Sequence, residues 1–141
     1  MIVLDTNVVS EVFRPRPDGR VVAWLEGLTG EVAITAITLA ELLIGVRRLP
    51  DGRRRSELRT RIDAALRPYR DTDAVLTFDD AAADRYADIV VTRERSGRPV
   101  SMADAQIAAI CRSRDATLAT RNTKDFVDTG VALIDPWAES R

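Results

Sequence analysis

Histidine is absent from the 141 residues of this chain. Histidine is the commonest general base and the commonest metal-binding side chain, and it is part of the Ser-His-Asp and Cys-His catalytic groups. Its absence excludes all of those mechanisms here. Any hydrolytic chemistry must therefore rest on carboxylates, and we expect a metal ion to assist them.

Cysteine and aromatic residues are scarce. Cys111 is the only cysteine, which excludes an intrachain disulfide and a four-cysteine zinc site and is typical of a reducing compartment. We interpret this cysteine as a core residue. Aromatic side chains make up 5% of the chain, so we interpret Trp24 and Trp137 as packing residues rather than platforms for stacked bases.

Long hydrophobic runs are missing as well. The longest apolar runs fall far short of the ~18 residues that a transmembrane helix needs. The opening segment MIVLDTNVV lacks a basic region and reaches an acid at Asp5. We therefore expect no contact with membranes, no secretory signal and a cytoplasmic location.

The net charge of −1 excludes a chain that is strongly basic as a whole. The distribution is uneven, because nine arginines and three acids lie between Arg47 and Arg70, a local balance of +6. Such a segment can contact phosphate, but it is also typical of a solvated helix face. Both interpretations stay open at this point.

Short apolar runs alternate with segments of helical spacing along most of the chain. The runs predict strands near residues 1–5, 31–35, 75–78, 117–120 and 131–135. The other segments predict helices over residues 6–13, 20–28, 38–49, 53–69, 79–97 and 101–115. This alternation indicates a mainly parallel sheet of about five strands between two helical layers, a three-layer α/β/α sandwich. The length and the apolar content of 45% predict a single domain over residues 1–141.

Acidic residues follow the ends of the predicted strands, where open parallel sheets bind their ligands. Asp5 follows the first strand, Glu41 the second and Asp125 the fourth, while Asp104 lies near the start of a helix. Carboxylates gathered at one sheet edge repel each other, and a hard divalent cation removes that penalty. The arrangement therefore predicts a carboxylate metal site.

Each of these acids also has a structural interpretation. Asp5 fits a helix N-cap. Thr38-x-x-Glu41 and Ser101-x-x-Asp104 fit capping boxes, in which the acid bonds back to the capping residue's amide. Thr77-x-x-Asp80 fits the same pattern, so the pattern alone says little about function. Taken singly, Glu41 and Asp104 are more consistent with caps than with catalysis.

Four blocks of the sequence resemble, in order and spacing, the PIN-domain ribonuclease toxins of the VapC family, in the FitB-like branch. They cover nearly the whole chain. The blocks are MIVLDTNVVSEVFRPRPDGRVVAWL, TAITLAELLIGVRRLPDGRRR, ADAQIAAI, and LATRNTKDF with the closing DPW.

The resemblance implies a PIN fold and a Mg²⁺- or Mn²⁺-dependent endoribonuclease that hydrolyses RNA phosphodiester bonds. The family's acidic site falls on Asp5, Glu41 and Asp104, with metal contacts at Asp5 and Asp104. Asp125 is carried over as the fourth acid, because Asn122 occupies the position where some relatives have a carboxylate. A second metal ion is therefore expected to bind more loosely here. The neutral residues that match the surroundings of the site are Thr6, Asn7, Thr120 and Asn122.

The resemblance also implies partners. It predicts a VapB-like antitoxin that places a segment in the acidic groove, a homodimer, and larger toxin–antitoxin assemblies that bind promoter DNA only through the antitoxin.

Two other functions are weighed against the nuclease. In one, the acids are only caps, and the protein is a catalytically silent PIN-like binding module that acts through its partner. In the other, Asp5 is the nucleophile of an α/β phosphatase. That class usually has a second Asp two residues further on, where this chain has Asn7.

Overall fold

The structure is a computed structural model that describes residues 1–138. The predicted domain range of 1–141 therefore ends with three residues outside the described part of the chain. The strands are β1 (Ile2–Leu4), β2 (Val32–Thr35), β3 (Val75–Leu76), β4 (Thr117–Ala119) and β5 (Ala132–Ile134). The helices are α1 (Thr6–Glu11), α2 (Gly19–Glu26), α3 (Ala36–Arg47), α4 (Arg53–Arg70), α5 (Asp80–Arg95), α6 (Met102–Ser113) and a 3₁₀ helix, Thr123–Phe126.

All strand pairs are parallel, and the strands lie in the order β3-β2-β1-β4-β5. β1 is central because it pairs with β2 on one side and with β4 on the other. The ends of β1, β2 and β4 therefore lie side by side. The polar residues that follow these strands are brought to one edge of the sheet, as the sequence predicts.

Neighbouring strand residues point to opposite faces of the sheet. Val3 and Leu118 belong to a hydrophobic cluster with α5 and α6, whereas Leu4 and Ala119 belong to a second cluster with α1 to α4. Helices therefore cover both faces, which confirms the prediction of a three-layer sandwich with a parallel sheet of five strands. Cys111 and Trp137 are buried in these clusters, as predicted.

Two helix starts differ from the capping boxes suggested by the sequence. Helix α3 begins two residues earlier, because the last residue of β2, Thr35, caps it directly through a 3.1 Å hydrogen bond from the Thr38 amide. Helix α5 is capped by Asp79, which accepts from the Ala82 amide at 3.0 Å. The capping box predicted at Thr38 is therefore wrong, and the pattern match at Thr77 is not a cap.

Strand β3 is shorter than predicted. Its residues Val75 and Leu76 pair with Ile34 and Thr35 of β2. The chain of β2 turns into α3 immediately after Thr35, so the backbone beyond Leu76 has no strand to pair with. No helix of residues 1–138 is both long enough and apolar enough to cross a bilayer.

Candidate active site

Asp5 lies directly after the central strand and is the N-cap of α1. Its Oδ1 accepts a hydrogen bond from the Thr6 amide at 2.8 Å, and its Oδ2 accepts from the Thr120 hydroxyl at 2.7 Å. Only 4% of the residue is exposed. Both of these donors are neutral, so a buried carboxylate is held here without a cationic side chain.

Burial raises the pKa of Asp5 from its ordinary 3.8 to about 6. The hydrogen bonds from Thr120 and Thr6 lower this pKa, but the loss of hydration outweighs them. The negative charges of Asp104 and Glu41 raise it further. The ionised form of Asp5 is therefore disfavoured in the metal-free fold, and a cation beside it would reverse that effect.

Thr120 and Asn7 connect the first block of the sequence to the fourth. The buried Thr120 hydroxyl lies 3.3 Å from the side-chain nitrogen of Asn7, which is also 3.3 Å from Oδ2 of Asp5. The side-chain oxygen of Asn7 accepts from the Arg121 amide at 3.2 Å. These bonds fix the turn after β4 against the start of α1 and hold the Asp5 carboxylate between them.

Glu41 lies in the second turn of α3, not at its cap. The Thr6 hydroxyl donates to Oε1 of Glu41 at 2.6 Å, and the Thr6 and Thr38 hydroxyl oxygens are 3.1 Å apart. Thr6 thus contacts Asp5 through its amide and Glu41 through its hydroxyl. This residue ties the first two acids together, and the carboxylate of Glu41 remains exposed.

Asp104 is in the first turn of α6, and Ser101 is the N-cap of that helix. The Ser101 hydroxyl oxygen accepts from the Asp104 amide at 3.2 Å, which confirms the predicted cap at this helix. Partial burial raises the pKa of the Asp104 carboxyl, and the charges of Asp125 and Glu41 act in the same direction.

Asp125 lies in the 3₁₀ helix after β4, half-buried, and its charge contributes to the raised pKa of Asp104. Asn122 precedes this helix, and its amide donates to the Thr120 hydroxyl oxygen at 3.1 Å. The Asn122 side chain makes no capping bond. Asp125 thus lies within electrostatic reach of Asp104, whereas Asn122 contacts Thr120 through its backbone amide.

The sequence pattern of the PIN domain family matches residues 2–132. The chain belongs to the PIN domain family. Toxin FitB of Neisseria gonorrhoeae (strain ATCC 700825 / FA 1090) is 41% identical over 138 residues, which are 97% of this chain and 99% of that protein. VapC ribonuclease Y4jK of Sinorhizobium fredii (strain NBRC 101917 / NGR234) is 38% identical over 97% of this chain and 98% of its own length.

The crystal structure of FitAcB from Neisseria gonorrhoeae superposes with a TM-score of 0.91 at 40% identity, covering 98% of this chain and 99% of that one. These similarities place the chain in the toxin branch of the PIN domain family that contains FitB and the VapC ribonucleases. The resemblance read from the four sequence blocks is confirmed.

The acids of this PIN domain influence each other without forming a finished set of metal ligands. Asp104 and Glu41 affect the pKa of Asp5, and Asp125 and Glu41 affect that of Asp104. Within residues 1–138, however, no three acidic or sulfur-bearing side chains are already grouped closely enough to hold a metal ion. Any cation here would draw the carboxylates inward or use water as a bridge.

Arg93 is a residue of the site region that the sequence analysis missed. It is 5% exposed, and its guanidinium donates to the backbone carbonyls of Arg98 at 2.6 Å, Asp125 at 2.8 Å and Val127 at 2.9 Å. It therefore anchors the segment that carries Asp125, and its charge lowers the pKa of Asp104. The available signal was its spacing: Arg93 lies on the same face of α5 as the buried Ala82 and Ile89.

Cys111 takes no part in this chemistry. Its side chain is fully buried, and burial raises the pKa of its thiol to about 12, so the thiol stays protonated at neutral pH.

Proposed function

We propose that this protein is the toxin of a type II toxin–antitoxin pair and a Mg²⁺- or Mn²⁺-dependent endoribonuclease that hydrolyses RNA phosphodiester bonds. The observation that carries the proposal is the carboxylate of Asp5. It is buried, it is bonded only to neutral donors, and it lies within electrostatic reach of Glu41 and Asp104. A fold retains such a cluster at a cost in stability, and binding a divalent cation would remove that cost.

The residues present fit a hard cation, because all of the candidate ligands are oxygen atoms. Asp5 and Asp104 would hold the ion directly. When bound, a divalent cation supplies an activated water and neutralises the charge that develops on the phosphate. Glu41 would either hold the ion through water or accept the proton of the attacking water. Asp125 would complete the ring of acids.

The neutral residues would keep these acids in place. Thr120 fixes the orientation of the Asp5 carboxylate, and Asn7 holds the turn that contains Arg121. The Thr6 hydroxyl donates to Glu41, which orients that carboxylate and leaves its other oxygen available. Asn122 contributes a neutral amide where some relatives have an acid.

The test compares Asp5→Asn with Asp84→Asn, a control that changes an exposed carboxylate of α5. We expect Asp5→Asn to abolish RNA cleavage in Mg²⁺ or Mn²⁺ and to reduce the rise in melting temperature that the wild type shows with either ion. The Asp84→Asn control should retain RNA cleavage and the rise in melting temperature with either ion. Mapping of RNA 5′ ends after induction should yield new ends with the wild type and none with Asp5→Asn.

The alternative of a catalytically silent binding module has an observation in its favour. Asp5 acts as a helix cap, and the acids are not preassembled for a metal ion within the described residues. If neither Mg²⁺ nor Mn²⁺ at millimolar concentration shifts the melting temperature, and no RNA is cut, the binding module is the better account.

We further propose an antitoxin of the VapB type, a homodimer and a cytoplasmic location, with promoter DNA bound only through the antitoxin. An apolar cavity of about 270 Å³ beside Glu41, lined by Phe13, Leu49 and Leu58 among others, suits a hydrophobic segment of such a partner. Co-expression with the product of the adjacent gene, followed by size-exclusion chromatography, tests the assembly. Addition of that partner should suppress the cleavage.

A further inference from the structure

A cavity of about 480 Å³ lies between α3 and α4, and none of the four acids of the candidate active site lines it. We call it the arginine groove, and it is defined by Arg47, Arg55, Arg59, Arg67 and Arg70. Asp63 and Asp71 are the acids of its lining, which therefore carries a net charge of +3. The buried side chains of Val46 and Ile62 contribute to its wall.

Only part of this positive charge is neutralised within the protein. Arg55 pairs with Asp51, and Arg59 lies 3.9 Å from Asp63. The other three arginines of the groove form no ion pair with any residue of 1–138. Clustered like charges repel one another, and an anionic ligand in the groove would relieve that repulsion.

The arginines of α4 form a row rather than a point. The positions 55, 59, 67 and 70 lie on one side of the helix, and they extend over about 22 Å of its length at the usual rise per residue. Guanidinium groups bind phosphate oxygens through two parallel hydrogen bonds. A row of this length matches a run of phosphates better than a single anion.

We propose that the arginine groove binds the phosphate backbone of the RNA substrate at a distance from the bond that is cut. This inference rests on the proposed ribonuclease function and adds a second contact region to it. The groove adjoins the cavity that contains Glu41, because Val46 and Ile62 line both. Since no aromatic side chain lines the groove, the contact would be to phosphates and independent of base sequence.

The charge of the lining favours RNA over a protein partner. Seven of the ten residues that line the groove are charged. Protein interfaces are depleted of charged residues at their centre and depend on apolar or aromatic anchors there. The apolar cavity on the other side of Val46 and Ile62 has that character, and the arginine groove does not.

The test uses two triple variants with the same change in charge. The first is Arg47→Gln, Arg67→Gln and Arg70→Gln, in the groove. The control is Arg16→Gln, Arg85→Gln and Arg95→Gln, at exposed positions outside it. Circular dichroism and melting temperature establish that both are folded. The binding of a fluorescent 20-nucleotide single-stranded RNA is then measured in EDTA, where no cleavage occurs, as a function of NaCl concentration.

We expect the groove variant to bind at least tenfold more weakly than wild type at low salt, with the control within about twofold. The slope of log affinity against log salt should decrease by about 2, because each lost phosphate contact on a single strand accounts for about 0.7. In Mn²⁺, the groove variant should raise KM for the long RNA and leave cleavage of a dinucleotide unchanged.

Equal RNA affinities for the two triple variants would overturn the proposal. Binding of poly-glutamate, a mimic of an acidic protein, is measured in the same way. If the groove variant loses poly-glutamate binding and keeps wild-type affinity for RNA, the proposal is also overturned and the groove is assigned to an acidic protein. If the wild type cuts RNA and both variants bind RNA normally, only the proposed role of the arginine groove is refuted. If the wild type neither binds nor cuts RNA, the proposed ribonuclease function is refuted as well.

Discussion

Asp5 has a structural role and a proposed chemical one, and the two have opposite effects on the free energy of folding. As an N-cap it satisfies the Thr6 amide, which stabilises α1. As a buried carboxylate it is forced to ionise among other acids at neutral pH. The proposed role in holding a cation fits a carboxylate that accepts its hydrogen bonds from hydroxyl and amide groups.

The raised pKa of Asp5 predicts a pH-dependent stability in the metal-free protein. Its pKa is about 6 in the fold against an ordinary 3.8, so the folded state binds more protons between these values and stability falls as pH rises through them. Asp5→Asn removes this penalty. We expect the free energy of unfolding, measured with urea in EDTA, to rise in the variant relative to wild type between pH 4 and pH 7.5. The change in this difference should be up to about 3 kcal/mol. A difference that does not change with pH would contradict the assignment.

Arg93 is expected to act through the position of Asp125. Arg93→Met leaves the carbonyls of Asp125 and Val127 without their donor, which should cost about 1–3 kcal/mol for each one left unsatisfied. Arg93→Lys retains the charge but replaces two separated donor nitrogens, Nε toward Arg98 and Nη1 toward Asp125 and Val127, with a single one. We expect kcat of Arg93→Lys to fall at least tenfold with KM for RNA little changed, together with weaker stabilisation by Mn²⁺.

The control for Arg93 is Arg98→Lys, because the Arg98 side chain pairs with the exposed Asp128, and the substitution keeps the Arg98 carbonyl that accepts from Arg93. If Arg93→Lys loses stability but keeps kcat and its Mn²⁺ response, Arg93 is only structural.

Asp5, Glu41 and Asp125 could be selected from the sequence because they come after strands β1, β2 and β4, where open parallel sheets bind ligands. Asp104 could be selected only by its place in the first turn of a predicted helix. Arg93 was not predicted, since its partners are backbone carbonyls that any sequence provides. The raised pKa of Asp5 depends on its burial, which local sequence does not reveal. The roles of the four acids in catalysis stay predictions.

At the scale of elements, most boundaries followed approximately from hydrophobic spacing, and the differences include two helix starts and the end of β3. The structure uses Thr35 and Asp79 as caps where the sequence also offered Thr38 and Thr77. The choice depends on where the preceding strand stops, which is decided by pairing with a neighbour. Local pattern cannot supply that information, because Ser and Thr occur both before and after a strand end.

The cap of α6 is expected to matter for function as well as for stability. Ser101→Ala removes the acceptor of the Asp104 amide, and Asp79→Ala removes the equivalent bond at α5. Each should lower stability by about 1 kcal/mol. Only Ser101→Ala should also weaken Mn²⁺ binding, because only α6 carries a site acid in its first turn. Equal Mn²⁺ affinities in the two variants, measured by thermal shift, would show that the Ser101 cap does not affect metal binding at Asp104.

At the scale of the whole molecule, the sheet order could be foreseen only in part. The alternation of strands and helices predicts a parallel sheet, but not that β1 lies between β2 and β4. That placement is what unites the blocks of sequence that carry Asp5, Glu41 and Asp125. It follows from long-range pairing, such as Val3 with Ala33 and Leu118, which no local sequence pattern reveals.

The two hydrophobic clusters share one sheet, so the single domain predicted over residues 1–141 should unfold as one unit. Leu66→Ala damages the cluster of α1 to α4, and Ile110→Ala damages that of α5 and α6. Each should cost about 2–5 kcal/mol. In both variants, far-ultraviolet circular dichroism and tryptophan fluorescence should report one coincident transition. Two separated transitions in either variant would show that the layers fold independently.

The outermost strands of the sheet have a consequence for the behaviour of the protein at high concentration. β3 consists of two residues and β5 of three. Exposed strand edges are templates on which other chains can pair and aggregate, and very short edges offer few free amide and carbonyl groups. The short edge strands should therefore limit edge-to-edge association of this protein at high concentration, even when no partner is bound.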